Sequence, residues 1–242
     1  MGVEFAPDKI WEKPLQSSTT DRKKIVNNIR DNGLELVGFH ALLYTRKDLK
    51  LFKSTNSFKD TILYLSSLAS LCAEMEGKNL IFGSPSNRNL CGRKFEDCFK
   101  QAIEGFSQLA DICKQFGVNF CIEPLPSSQT DFISSTAEGE RLVKAVNHPN
   151  FHLHLDASAL RSEFSPPELV IETTITPHHF HINDPHLSIP GSSTDDIPAM
   201  IKALTQKNYT GFLSIEVIAK GNDSFEALSK SVSYVQKLIE KN

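Results

Sequence analysis

The sequence lacks the features that mark several classes of protein. No run of apolar residues approaches the roughly 18 needed to cross a bilayer, so no membrane partner is expected. No basic tract stands out against a formal net charge of -3, so no nucleic-acid partner is expected either. The opening stretch, Met1-Gly-Val-Glu-Phe-Ala-Pro7, lacks the basic-then-apolar order of a secretory leader. The five cysteines are odd in number and show no paired metal-ligand spacing. Reduced thiols in a cytoplasmic protein are the expectation, with packing as the role of all five. There is no return hairpin and no break in composition, so residues 1–242 read as one domain.

What is present is alternation. Strand-like stretches at 3–7, 34–43, 79–85, 120–126, 151–158, 178–183 and 212–217 are each followed by a helical pattern. Phe58, Ile62, Leu65, Leu68, Cys72 and Met75 recur at helical spacing, as do Phe95, Phe99, Ile103, Phe106, Ala110 and Cys113. Phe225, Leu228, Val232, Val235 and Leu238 pattern the last helix in the same way. Gly33, Gly77 and Gly117 stand where helices stop. Ser135-Thr-Ala-Glu138 and Ser165-Pro-Pro-Glu168 have the spacing of a capping box. Strand and helix in strict alternation predict a parallel sheet covered by helices. At 242 residues the chain is close to the roughly 250 of an eight-unit TIM-type barrel, yet it shows seven units. The predicted fold is therefore α/β, a TIM-type (β/α) barrel lacking its first β/α unit.

The chemistry gathers around His178-His179-Phe180-His181-Ile182-Asn183-Asp184-Pro185, an alternating strand followed by a turn. A short strand ending in polar residues is how a parallel sheet offers side chains at its carboxyl edge. Three other strands end near a carboxylate: Glu123, Asp156 and Glu216. From Glu123 the steps to Asp156, His181 and Glu216 are 33, 25 and 35 residues by subtraction. One strand–helix unit takes roughly 30, so the four groups fall on consecutive strands at one end. Two Glu, one Asp and one His suit a single hard divalent ion, Mn2+, Mg2+, Co2+ or Zn2+. The plainer alternatives are structural ion pairs for the carboxylates and a satisfied core imidazole for His181. His152, His154 and His179 read as interior filling, His148 and His178 as solvated or capping residues. His40 at its strand's end, Asp184 at the turn and His186 just past it are candidates to touch substrate. Arg88 and Lys220, in loops on the same rim, could meet an anionic substrate group. Pro190-Gly-Ser-Ser could offer backbone amides to a phosphate.

At these residues the sequence resembles the sugar phosphate isomerase/epimerase family of xylose isomerase-like TIM barrels. The resemblance covers nearly the whole chain. Its motifs are Ile122-Glu123-Pro124, Leu155-Asp156, His181-Ile-Asn-Asp184 and Tyr209-Thr-Gly-Phe-Leu-Ser-Ile-Glu216, in that order. It implies one divalent metal held by Glu123, Asp156, His181 and Glu216, with Glu123 and Glu216 also serving as acid/base pair. It likewise implies that His40 and Arg88 face the substrate. The implied activity is isomerisation or epimerisation of a carbohydrate. The metal would acidify a C–H beside a carbonyl, and one glutamate would take the proton while the other returns it through an enediolate.

The implied partner is a small-molecule sugar or sugar phosphate, with a homo-oligomer left open. Two positions depart from the pattern. Ala159 stands where members often carry a His three residues after the metal Asp, and Pro126-Ser127 follow Leu125 where many epimerases have Asn-Arg. Other readings are a dehydratase or lyase using the same metal and a non-catalytic sugar-binding barrel. An abasic-site endonuclease is disfavoured by Ala159 and by the lack of a basic face.

Overall fold

The computed structural model describes residues 1–163, 166–219 and 224–240. The chain forms two compact units, Met1–His152 and Leu153–Asn242. In the first, β1 (Gly2–Phe5), β2 (Glu35–Phe39), β3 (Asn79–Phe82) and β4 (Asn119–Ile122) pair in parallel and in chain order. Helices α1 (Pro7–Ile10), α2 (Thr19–Asp31), α3 (Thr55–Glu74), α4 (Phe95–Phe116) and α5 (Thr136–Val146) follow these strands. In the second, β5 (Phe151–Asp156) pairs in parallel with β6 (His179–Ile182), and β6 with β7 (Leu213–Ile215). Helices α6 (Ala157–Leu160), α7 (Pro167–Thr173), α8 (Ile197–Gln206) and α9 (Ser224–Ile239) belong to this unit. The seven strands read from the sequence are thus found among the described residues. None of the described helices is long and apolar enough to cross a membrane.

Local signals place the helix ends. The hydroxyls of Ser18, Ser54 and Ser135 accept the amides of Asp21 (3.1 Å), Ser57 (3.1 Å) and Glu138 (3.3 Å), satisfying donors that a first turn leaves open. Glu138 answers one residue earlier than a capping box would, accepting the Ser134 amide at 2.7 Å. Gly117 ends α4 at φ 67, a left-handed conformation that favours glycine. The second capping box lies partly outside the described residues, because Ser165 is not among them.

The core of the first unit is aromatic. Phe106 on α4 meets Phe82 and Phe120 with ring centroids 6.0 and 5.7 Å apart, and Phe151 lies 5.4 Å away. Such offset rings bury large area and need no hydrogen-bond partner. Cys72, Cys98, Cys113 and Cys121 are buried as expected, and burial pushes the Cys72 and Cys113 thiols up to about 12. Cys91 corrects the packing expectation: it is exposed, on a turn at φ 54. In the second unit Leu153, Leu155, Phe180, Ile182, Met200 and Leu204 are buried. Helix α9 departs from its predicted stripe, since Phe225 is 85% exposed and Leu228 55%.

Candidate functional site

The second unit assembles most of the predicted ligands by strand register. Parallel pairing sets Asp156 beside His181 and His181 beside Ser214. Side chains two residues apart share a strand face, so Glu216, just past β7, continues the face of Ser214. The His181 Nδ1 and Glu216 Oε2 are 3.0 Å apart. His181 is buried, whereas 26% of the Glu216 side chain is exposed, so the pair has a sheltered end and an open one.

Asp156 is buried and held at both oxygens. Its Oδ1 accepts the Ala159 amide at 2.8 Å, which also starts α6, and its Oδ2 accepts Asn183 Nδ2 at 2.6 Å. The Asn183 amide is itself oriented, because its Oδ1 accepts the Ser158 amide at 2.9 Å. Arg161 completes the frame. Its Nη1 donates to the Asn183 carbonyl at 2.8 Å, and its fork donates to both oxygens of Asp196 at 2.8 and 2.7 Å. Sequence position offers a signal for Asn183, two residues after His181 and on the same face, and none for Arg161.

Electrostatics mark the same spot. Burial pushes the Asp156 carboxyl up, and Glu216 adds to that; His181 and the Asn183 hydrogen bond oppose it. An ionised carboxylate held in so dry a place is unfavourable without a cation. Two carboxylates and one imidazole are also a donor set that a hard divalent ion accepts. The residues of this unit therefore fit the implied metal. One layer deeper, as the interior reading expected, His154 Nδ1 and His179 Nδ1 are 3.2 Å apart and Ser214 Oγ lies 3.2 Å from His179 Nε2. A ring nitrogen of each of His154, His179 and His181 lies within 4.8 Å of the others.

Asp184 has a different occupation from the one expected. It is wholly buried, and its carboxylate accepts the amides of Gly191 (3.1 Å), Ser193 (2.6 Å) and Thr194 (3.2 Å) and the Thr194 hydroxyl (2.8 Å). Burial pushes this carboxyl up, but the hydrogen bonds outweigh it and hold it below the usual range. The same finding corrects the phosphate reading of Pro190-Gly-Ser-Ser: its amides already converge on an anion, and the anion is Asp184. His186 is exposed at φ 60, beyond the end of the strand. Lys220 lies outside the described residues.

In the first unit, Glu123 follows β4 directly. Its amide donates to the Phe82 carbonyl at 3.2 Å, and its own carbonyl accepts Arg88 Nη1 at 2.7 Å. His40 is half-buried just past β2, its amide donating to the Phe5 carbonyl at 3.3 Å. Arg88 departs from the open rim cation expected of a loop residue, because it is 0% exposed. Burial pulls its pKa down to about 10, against the pull of Glu123 and Glu138, so it stays charged at neutral pH. What accompanies its burial is a set of three carbonyls, those of Phe82, Glu123 and Ile133, that accept its guanidinium hydrogens.

The sequence model of xylose isomerase-like TIM barrels matches residues 1–238. The chain belongs to that family. Over 123 residues it is 28% identical to the D-psicose 3-epimerase of Agrobacterium fabrum, a match covering 50% of this chain and 43% of that one. The match thus spans less than half the length of this curated relative. The structure aligns with 3-keto-D-glucoside 4-epimerase from E. coli at a TM-score of 0.82 and 16% identity, over 98% of this chain and 89% of that one. It also aligns with the IOLI protein, solved with a bound zinc atom, at a TM-score of 0.74 and 16% identity, over 98% and 87%. Both likenesses show the TIM-type fold that the alternation of elements predicted.

Proposed function

We propose that this member of the xylose isomerase-like family is a divalent-metal-dependent sugar epimerase whose ion is held by Glu123, Asp156, His181 and Glu216. The observation that carries the reading is the His181–Glu216 pair, 3.0 Å apart, in a frame that also fixes a buried Asp156. Bound there, the cation would supply Lewis acidity to a sugar carbonyl and its neighbouring hydroxyl. The protein's own groups do the rest. His181 is sheltered, with Nδ1 3.0 Å from Glu216 Oε2, while the Glu216 carboxylate keeps a side open to a ligand. Asn183 and the Ala159 amide hold both oxygens of Asp156 in one orientation.

Glu123 and Glu216 then take a proton from the carbon beside the carbonyl and return it on the other face, each contributing through a positioned carboxylate. Return to the same carbon is epimerisation; return to its neighbour is isomerisation. The Agrobacterium relative, a D-psicose 3-epimerase, favours the first, on a ketose. An unphosphorylated substrate is favoured as well, since the amides of Gly191, Ser193 and Thr194 are used by Asp184.

The test is turnover of D-psicose in D2O by protein stripped with EDTA and reloaded with Mn2+ or Co2+. The expected result is metal-restored conversion, with deuterium entering one carbon of recovered substrate and product. Conversion without deuterium would sink the two-carboxylate mechanism. A protein that binds neither ion would sink the metal site.

A further inference from the structure

Arg88 is among the largest fully buried side chains in the molecule. Removing a guanidinium from water is unfavourable unless its donors are used, so what it donates to explains why it is there. Nη1 donates to the carbonyl of Glu123 at 2.7 Å and, more loosely, to that of Phe82 at 3.5 Å; Nη2 donates to that of Ile133 at 3.3 Å. All three carbonyls frame one residue. Phe82 ends β3 and accepts the Glu123 amide, Glu123 follows β4, and Ile133 lies on the loop leading away from it. Ile133 is a β-branched residue held at φ 56, a left-handed conformation that persists only when its surroundings impose it. Its carbonyl also accepts the Leu125 amide at 3.2 Å. The backbone on both sides of Glu123 is thereby tied to one buried cation.

Gly83, the residue after Phe82, acts on the other end of Glu123. A Cβ at that position would overlap Glu123 Oε2, so the carboxylate lies in the space a side chain would fill. Gly83 is not at positive φ, so the backbone itself does not demand glycine there.

We propose that Arg88 and Gly83 are positioning residues for Glu123, Arg88 setting its backbone and Gly83 leaving the space that sets the direction of its carboxylate. This rests on the reading of Glu123 as acid/base and metal ligand. It assigns Arg88 a role unlike that of a substrate-binding cation, whose loss would raise KM.

The decisive variant is Gly83→Ala. The atom it displaces is the far end of a flexible side chain, so the protein folds and the carboxylate moves. A reacting group misplaced by about 1 Å costs on the order of 10²-fold in rate. The expected result is a Tm within a few degrees of wild type, kcat lowered about 100-fold and KM changed less than about 3-fold. Mn2+ affinity, measured by calorimetry without substrate, should fall about 10- to 100-fold. Arg88→Met should lower kcat similarly, with Arg88→Lys restoring about 10-fold of the loss because a cation still reaches the carbonyls.

Glu123→Gln is run beside them. If it turns over at the wild-type rate, the reading of Glu123 fails and the inference falls with it. If Glu123→Gln is inactive while Gly83→Ala keeps wild-type kcat and Mn2+ affinity, the inference alone is overturned. An Arg88→Met protein with raised KM and unchanged kcat would overturn it too. Should Arg88→Met fail to fold, Gly83→Ala decides the Gly83 half and the kcat-against-KM split of Arg88→Lys decides the Arg88 half.

Discussion

In the first unit, β3 and β4 read Asn-Leu-Ile-Phe and Asn-Phe-Cys-Ile, and their Phe82 and Phe120 meet each other and Phe106 of α4 in tilted and edge-on ring contacts at 5.5 to 6.0 Å. In the second, β5 and β6 read Phe-His-Leu-His-Leu-Asp and His-Phe-His-Ile: Leu153, Leu155, Phe180 and Ile182 are buried on one face, and the other carries imidazoles, with centroids 4.3 to 5.2 Å apart. Benzene rings accept any neighbour of the right shape. Imidazoles each bring two nitrogens that need partners when buried, so the second interior specifies a connected polar network. The same strand–helix grammar thus builds an aromatic packing core in one place and a polar network in the other. Arg88 is the telling exception in the first unit: a charge is buried there, donating to the carbonyls of Phe82, Glu123 and Ile133.

Substitutions can break or sharpen this contrast. The largest effect is expected from Glu216→Gln and Glu123→Gln. Each should lower kcat of the Mn2+-loaded protein about 10²- to 10⁴-fold, because an amide keeps an oxygen ligand but cannot take up the proton. Steady-state kinetics showing less than about 10-fold loss in both would remove them as the acid/base pair. Next in size, Phe120→Ala should cost about 3–5 kcal/mol of stability in urea titrations, from lost transfer energy plus the cavity left among rings. A cost under about 1 kcal/mol would mean that the aromatic interior is not a packing core.

Asn183→Ala probes the polar frame. Asp156 Oδ2 loses its donor, and Mn2+ affinity should fall about 10- to 100-fold, read by calorimetry. Unchanged affinity would separate Asn183 from the metal site.

The smallest effect is on acid stability. For Asp184 and Asp196, burial pushes the carboxyls up, but hydrogen bonds, from the 191–194 loop and from Arg161 respectively, outweigh it. Their folded pKa values thus lie below the ordinary value near 3.9. Their stabilisation is whole above about pH 4 and drains away as pH falls through the lower folded values. Asp196→Asn should therefore flatten the fall in urea midpoint below about pH 4. An unchanged acid limb would show that the Arg161 pairing carries none of it.

Most of this architecture was legible because it rests on short-range signals. The strands carry a period-two pattern, α4 ends at a glycine, and Ser135 caps α5. The meeting of Asp156, His181 and Glu216 was legible too, because strand-end position and unit length together fix which residues reach the same edge. What stayed hidden depended on tertiary partners. Nothing in Pro85-Ser-Asn-Arg88 says that the cation will be buried, since carbonyls from β3, β4 and a later loop decide it. The amides after Pro190 were readable as an anion site, but not that a carboxylate seven to ten residues upstream fills it. On α9, helical spacing marked Phe225 and Leu228 as inward, and the fold leaves both outside. Periodicity identifies a face, not whether something covers it.

The occupation of the 191–194 turn by Asp184 also governs how that turn answers to its surroundings. A set of converging amides ordinarily borrows its anion from the medium and loses its shape when the anion is diluted away. Here the anion is carried on the same chain, so its local concentration is a matter of tether length and never of buffer. Dialysis cannot remove it, and free phosphate or sulfate must outcompete a covalently attached rival. The 191–194 turn therefore keeps one shape whatever the phosphate level around it.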